Sequence, residues 1–238
     1  MKPATVSVVV PCYNAAAYIA EALESVRAQD ASPHFALHEI IVVDDGSTDN
    51  SAAVIRQSDS GVRVLTQVNS GISAARNAGL AIATGDLIAF LDADDVWTKH
   101  SLASRTAMLH SRPSLSAVSG FIEQFVSPDV SDEERQRIVL PEHAMQGRLA
   151  GALLVRRDVF ASVGNFSAQY TLGETIDWVA RAEAAGHTIG AVEALVLRRR
   201  VHSNNSVQKR EQLKADYLSV LRAAIARRRE GAAAESSR

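Results

Sequence analysis

The stretch Leu87-Ile88-Ala89-Phe90-Leu91-Asp92-Ala93-Asp94-Asp95 changes character at a single residue. Five apolar residues in a row read as a strand buried on both faces. Three carboxylates crowded into the next four positions repel one another unless water or a cation neutralises them, so the strand ends at an open edge. The same change recurs upstream. Val6-Ser7-Val8-Val9-Val10 stops at Pro11, and Ile40-Ile41-Val42-Val43 runs into Asp44-Asp45-Gly46-Ser47-Thr48-Asp49. Val62-Arg63-Val64-Leu65 is a third strand, followed by Asn69-Ser70-Gly71. Between the strands, Tyr18, Ile19, Leu23 and Val26 give residues 17–29 an apolar helical face, a second helix through Val54 and Ile55 follows Thr48 or Asp49 as its cap, and a third spans 72–83. Continuous apolar strands alternating with helices predict a parallel sheet covered on both faces, with right-handed crossovers. Ligands of such sheets bind at the carboxyl ends of the strands, where the polar residues collect here.

The chain has 238 residues, 47% hydrophobic and 22% charged. That is enough apolar content for a sizeable core and excludes a chain disordered throughout. The length fits one large α/β domain or two small ones. Lys plus Arg number 25 against 27 Asp plus Glu, a net charge of −2, which argues against a surface built for nucleic acid. Cys12 is the only cysteine, so an intrachain disulfide and a thiolate metal cluster are both excluded, and a reducing compartment fits. No apolar run approaches the roughly 18 to 20 residues that a membrane-spanning helix needs. The apolar stretch after Lys2 is cut short by Pro11 and Asn14, a poor signal peptide. A cytoplasmic location is expected.

The second half is less regular. Residues 127–149 are polar, with Pro128, Pro141, Gly147 and the acidic run Asp132-Glu133-Glu134; they read as a long loop or short helix. Gly151-Ala152-Leu153-Leu154-Val155 reads as a strand, 174–186 as a helix ended by Gly186, and 189–197 as a further strand. Leu213, Tyr217, Leu221 and Ile225 recur every four residues, predicting an amphipathic C-terminal helix over 208–229, with 231–238 as a disordered tail. No repeat and no composition break divides the chain, so residues 1–230 are expected to form a single domain.

Taken singly, each polar segment has two readings. The Asp92 to Asp95 cluster suits a hard divalent cation, Mg²⁺ or Mn²⁺, with phosphate oxygens completing its shell, or it is a solvated acidic cap. Asp44 to Asp49 is a ligand loop or a tight turn with an N-cap. Arg76, in Ala75-Arg76-Asn77, meets a phosphate near a helix start or is a surface arginine. Trp97 and Trp178 stack on sugar or pack the core, and packing is favoured. Cys12 is read as a buried filler.

In order, VSVVVPCYNAAAYIAEALESVRAQ, EIIVVDDGSTDNS and NSGISAARNAGLAIATGDLIAFLDADD, covering nearly all of residues 5–97, closely resemble the family 2 nucleotide-sugar glycosyltransferases. The resemblance implies a GT-A fold: a Rossmann-like, mostly parallel central sheet flanked by helices, with a nucleotide-sugar-binding half over 5–97 and a smaller acceptor-binding portion over 98–207. It implies that Pro11, Tyr13 and Asn14 line the base pocket, that Asp45 binds base or ribose, and that Asp94 binds ribose or metal. Asp95 would hold the metal that bridges the donor diphosphate. The implied reaction is a metal-dependent, inverting single displacement from a nucleoside-diphosphate sugar to an acceptor hydroxyl of a glycan, lipid-linked, peptide or small-molecule acceptor, with a carboxylate taking the hydroxyl proton.

At the base the sequence departs from the pattern. Family members resembling it carry Glu-Asp at a helix head; here the segment is Gly173-Glu174-Thr175-Ile176-Asp177-Trp178, with Thr175 at the Asp position. A threonine hydroxyl is no base at neutral pH, which leaves Glu174 and Asp177, three apart and nearly on one face; alternatively Glu174 caps the helix and Asp177 pairs with Arg181. Arg200-Val201-His202 resembles the family's Arg-x-His segment, placing His202 near metal or diphosphate. From Arg198 to Glu230 ten basic residues face three acidic ones, either a solvated helix face or a patch for peripheral contact with the inner membrane face. Two rival functions stay open. Asp92-Ala93-Asp94-Asp95-Val96 also matches the nucleophile motif of haloacid dehalogenase-like phosphatases, with Asp92 as nucleophile, and Thr175 suits a non-catalytic nucleotide-sugar-binding protein.

Overall fold

The computed structural model describes residues 2–58, 61–170, 173–202, 218–220 and 222–223. Strands β1 (Ala4–Cys12), β2 (Phe35–Asp44), β3 (Arg63–Thr66) and β4 (Leu87–Phe90) pair in parallel in the order β3-β2-β1-β4. Helices α1 (Ile19–Arg27), α2 (Ser51–Ser58) and α3 (Ile72–Ile82) fill the crossovers. The pleat divides β1 between two layers: Val6, Val8 and Val10 pack with Ile19, Leu23 and Val26 of α1, whereas Val9 packs with Ala75 and Leu80 of α3. Both faces are therefore covered, which is why the strand reads as an unbroken apolar run. Helix α3 lies close because of Gly79, where an added Cβ would sit 2.3 Å from Val9 Cγ1.

The chain winds outward from β1 to β2 and β3, then returns to place β4 on the other side of β1. Strand order reverses there, and the diverging loops open a crevice beyond the carboxyl ends of β1 and β4. That crevice is the site described below.

Beyond β4 the same sheet continues through β8 (Leu154–Arg156), β6 (Leu115–Val126), β9 (Thr188–Val201) and β5 (Val96–Trp97), with β7 (Met145–Gly147) added to β6. Strand β8 is antiparallel to both β4 and β6, and β5 is antiparallel to β9. These antiparallel contacts are short, and the long pairings, β1–β2 and β6–β9, are parallel, so the sheet is mostly parallel, as expected.

Differences from the sequence reading fall in this second half. Helix α4 (Ser101–Ser111) and strand β6 lie over residues for which no element is expected; Ser116, Ser119, Glu123 and Gln124 break the apolar run of β6. The strand expected over 151–155 starts at Leu154, because 150–152 form a 3-10 turn whose Gly151 carbonyl accepts from Trp97 Nε1 at 2.7 Å and is diverted from the ladder. Within 127–149 the chain forms the short helix α5 (Asp132–Arg135) as well as β7. After α6 (Val159–Val163), α7 (Glu174–Ala184) ends near Gly186, whose φ of 87° is the left-handed conformation that terminates helices. Of the predicted helix over 208–229, residues 218–220 and 222–223 are helical; the rest of it, most of the basic segment and the tail over 231–238 lie outside the described residues. Among the described residues no helix is long and apolar enough to cross a membrane.

Candidate active site

An open cleft of about 690 Å³ lies at the strand reversal. Its first wall comes from the loop after β1. Pro11, Tyr13 and Asn14 all line it, and Tyr13 is half exposed. Asn14 has a φ of 50°, a strained position for a residue with a side chain. It is held there from the neighbouring loop: Asn14 Oδ1 accepts from Thr48 N at 2.8 Å, and Ser47 Oγ accepts from Asn14 N at 3.0 Å. Asp49 reinforces the junction by accepting from Ser51 N at 2.9 Å and Ala16 N at 3.0 Å.

Asp45 lines the cleft but is buried, with both carboxylate oxygens engaged. Oδ1 accepts from Gln67 Nε2 at 2.7 Å and Ser70 N at 2.9 Å, and Oδ2 accepts from Gly71 N at 2.8 Å. The carboxylate thus shapes the 67–71 loop that forms the opposite wall. Gln67 has no periodicity or motif to mark it; only its place at the end of β3 puts it beside Asp45.

The acidic loop after β4 is arranged differently. Asp92, Asp94 and Asp95 all line the cleft. Asp94 Oδ2 lies 3.1 Å from His202 Nε2, so residues 108 apart in the chain meet at the floor of the site. Asp95 does not join them: it is buried and its Oδ1 accepts from Arg200 N at 2.9 Å. Burial, then the charges of Asp94 and Asp92, raise its carboxyl well above the usual carboxylate range. Arg200 braces this loop. Its Nε donates to Asp94 O at 2.9 Å, its Nη2 pairs with Glu21, and its guanidinium lies between the rings of Tyr18 and Phe125, 5.1 and 4.7 Å from their centroids. Tyr18, which reads in the sequence as core, packs its ring 4.7 Å from that of His202 and donates to Asp129 Oδ2 at 2.6 Å. Arg198 pairs with Glu123 at 3.0 Å. Two arginines of the basic stretch are therefore engaged within the fold, while Arg199 lines the cleft.

The third wall is the head of α7. Glu174 and Thr175 line the cleft, and Asp177 does not; Arg181 Nε donates to Asp177 Oδ2 at 2.8 Å. Arg76 is buried rather than superficial. Its Nη1 meets Glu174 Oε1 at 2.5 Å and its Nη2 meets Asp92 Oδ1 at 2.6 Å. Burial by itself lowers an arginine's proton affinity, and here Asp92 and Glu174 reverse that and raise it. Asn77, the next residue, holds the loop before α7 by a pair of bonds to the backbone of Phe166, at 2.8 and 3.0 Å.

Trp97 and Trp178 are core residues, with Trp178 packed on Phe160 and Phe166 and its Nε1 donating to Gly164 O at 2.9 Å. Burial pushes the Cys12 thiol up to about 11, which leaves it protonated and inert at neutral pH.

The donor set fits a hard divalent cation held largely by its substrate. Among the described residues no three His, Cys, Asp or Glu side chains converge into a cage. Asp94 and His202 lie at hydrogen-bond distance from each other on the cleft floor, and the neighbouring Asp95 also lines the cleft. Mg²⁺ in particular is commonly bound through one or two carboxylates with phosphate oxygens and water completing the shell.

Comparison with known proteins agrees with this geometry. The family model described as Glycosyl transferase family 2 matches residues 7–168. An uncharacterized glycosyltransferase of Nostoc sp. is 48% identical over 101 residues, covering 41% of this chain and 30% of that protein. Among solved structures, S. aureus TarS 1-349 in complex with UDP superposes with a TM-score of 0.68 at 21% identity, covering 94% of this chain and 65% of that one. A Pyrobaculum calidifontis mannosyltransferase in complex with GDP-Man and Mn²⁺ gives 0.69 at 22% identity, covering 94% and 64%. The chain spans less than half the length of the curated relatives it matches. The two structural likenesses establish a shared glycosyltransferase fold of the GT-A type.

Proposed function

The chain belongs to glycosyl transferase family 2, and from that premise we propose that it transfers a sugar from a nucleoside-diphosphate sugar to an acceptor hydroxyl, with inversion, in the cleft beyond β1 and β4. The observation that carries the reading is the convergence on one cleft of three differently built walls: the Tyr13–Asn14 loop, the Asp94–His202 floor and the Glu174 head of α7.

Tyr13, with its face half exposed, and Pro11 bound the nucleoside end, while Asp45 acts through the 67–71 loop it holds. Asp94 and His202 are the residues that would hold a divalent cation, Mn²⁺ or Mg²⁺, with the neighbouring Asp95 as a further candidate. Such a cation, when bound, offsets the charge of the departing diphosphate. As the acceptor oxygen bonds to the anomeric carbon, the bond from that carbon to the diphosphate oxygen breaks, and the hydroxyl proton passes to a carboxylate. Of the two candidates Glu174 suits this role, since Asp177 is turned to Arg181 outside the cleft.

The test is a panel of nucleotide sugars screened with Mn²⁺ for thermal stabilisation, followed by turnover of the best donor. A donor at 100 Kd adds about 2.7 kcal/mol. Glu174→Gln should lower turnover by roughly 10² or more while leaving donor affinity intact. Donor binding without turnover on any acceptor would favour a non-catalytic nucleotide-sugar-binding protein, the reading that Thr175 suggests. The phosphatase reading has less support, because Asp92 ends the fourth strand and Arg76 already holds its carboxylate.

A further inference from the structure

Glu174 is held asymmetrically. Its Oε1 accepts from both Arg76 Nη1, at 2.5 Å, and Thr175 Oγ1, at 2.8 Å. Neither bond goes to Oε2. A carboxylate without such bonds presents either oxygen equally, since rotation about its terminal torsion is soft. Two donors on the same oxygen remove that equivalence. Arg76 is itself fixed: it is nearly sealed from solvent, and its second arm is on Asp92 Oδ1 at 2.6 Å. Carboxylates on both arms offset the cost of burying its charge.

We propose that Thr175 and Arg76 are positioning residues for Glu174, fixing its Oε1 so that Oε2 is the oxygen offered to the acceptor hydroxyl, with Arg76 tying that carboxylate to the acidic loop through Asp92. The proposal rests on the reading of Glu174 as the proton acceptor. Threonine at this point of α7 replaces a potential base by a hydrogen-bond donor, and the bond it donates goes to the adjacent glutamate. Proton acceptance thereby falls to Glu174, one position earlier on the helix. The proton leaves the acceptor hydroxyl for Oε2 as the new glycosidic bond forms and the nucleoside diphosphate departs. The Asp92–Arg76–Glu174 chain links the acidic loop to the head of α7.

The experiment compares Thr175→Val, Thr175→Ser and Glu174→Gln in the full chain with the best-stabilising nucleotide sugar. Thr175→Val keeps size and burial but loses the hydroxyl; kcat should fall about 10-fold to 100-fold, as for loss of a hydrogen bond to a charged group, with donor KM essentially unchanged. Thr175→Ser should restore most of the lost kcat. Wild-type kcat in Thr175→Val, or a kcat loss accompanied by a matching rise in donor KM, overturns the positioning role. Wild-type kcat in Glu174→Gln instead removes the base assignment on which it stands, so the two failures are distinguishable. Should no acceptor turn over, the carbon-13 signal of the Glu174 carboxyl replaces kcat as the readout. A changed shift in Thr175→Val, reversed in Thr175→Ser, supports the asymmetric hold, and an unchanged shift overturns it.

Discussion

Two acidic loops, each at the carboxyl end of a buried strand, look alike on paper: Asp44 to Asp49 after β2 and Asp92 to Asp95 after β4. In the fold they are opposites. In the first, carboxylates are satisfied by the protein's own donors, three onto Asp45 alone and further backbone N–H groups onto Asp49. In the second, the carboxylates crowd one another, and Asp95 is driven toward its protonated form by burial and by Asp94 and Asp92. The first loop is finished by folding. The second has cationic or imidazole partners brought from distant elements, Arg76 on Asp92 and His202 on Asp94, and its three carboxyls still crowd one another at an open cleft. The two loops thus differ in what holds them, mostly backbone N–H groups in the first and side chains from distant elements in the second.

Breaking the floor should have the largest effect. Asp94→Asn removes one of the two groups proposed to hold a cation, and turnover should fall by about 10²–10³-fold, as when a key electrostatic contact to a developing charge is lost; assay with a chelator and no added divalent cation should produce a loss of the same order. A steady-state assay across a Mn²⁺ titration checks both. If Asp94→Asn keeps its activity at every metal concentration, the floor does not hold the cation.

A matched pair of substitutions tests the comparison through stability. Asp45→Asn puts an amide donor where the buried carboxylate accepts backbone N–H groups, and should cost about 1–3 kcal/mol. Asp95→Asn removes a crowded charge while keeping an oxygen for Arg200 N, so the metal-free protein should gain about 1 kcal/mol, or about 2–4 °C in Tm at this size. Calorimetry on both variants gives the signs directly. Equal signs would mean that the two loops are not opposites.

The smallest expected effect concerns pH. Burial alone would raise the Asp49 carboxyl, but bonds from Ser51 and Ala16 outweigh it and leave it lowered. Folding therefore favours the ionised form. The resulting stabilisation is fully present above the ordinary aspartate value of about 3.9 and is lost as pH falls through the lowered value. Asp49→Asn should flatten the acid limb of Tm against pH below about 4, with little change near neutrality. An acid limb as steep as that of the wild type would show that Asp49 does not contribute.

Much of the first half is legible in the sequence because its information is local. Val6 to Val10, Ile40 to Val43 and Leu87 to Leu91 announce buried strands by composition alone, and Pro11 or the aspartates directly after each mark the edge where the cleft opens. The second half resists the same reading. Strand β6 carries serines and charged residues in its run, and Trp97 diverts the Gly151 carbonyl from 54 positions away. Asp177 and Glu174 share a helix head, and only the structure separates the one turned to Arg181 from the one lining the cleft. Arg76, which reads as a phosphate contact or a surface arginine, lines the cleft, and only the fold shows it buried between Asp92 and Glu174.

The parallel half-sheet, the edge at which the cleft opens and the family are all readable from residue order, since each depends on short segments. The long-range partners came only with the fold: Asp94 with His202, Asp45 with the 67–71 loop, and Arg76 with Glu174 across 98 residues. The reason is physical. Periodicity records which face of an element is buried, whereas the energy of a buried charge is set within a few ångströms by whatever the fold brings beside it.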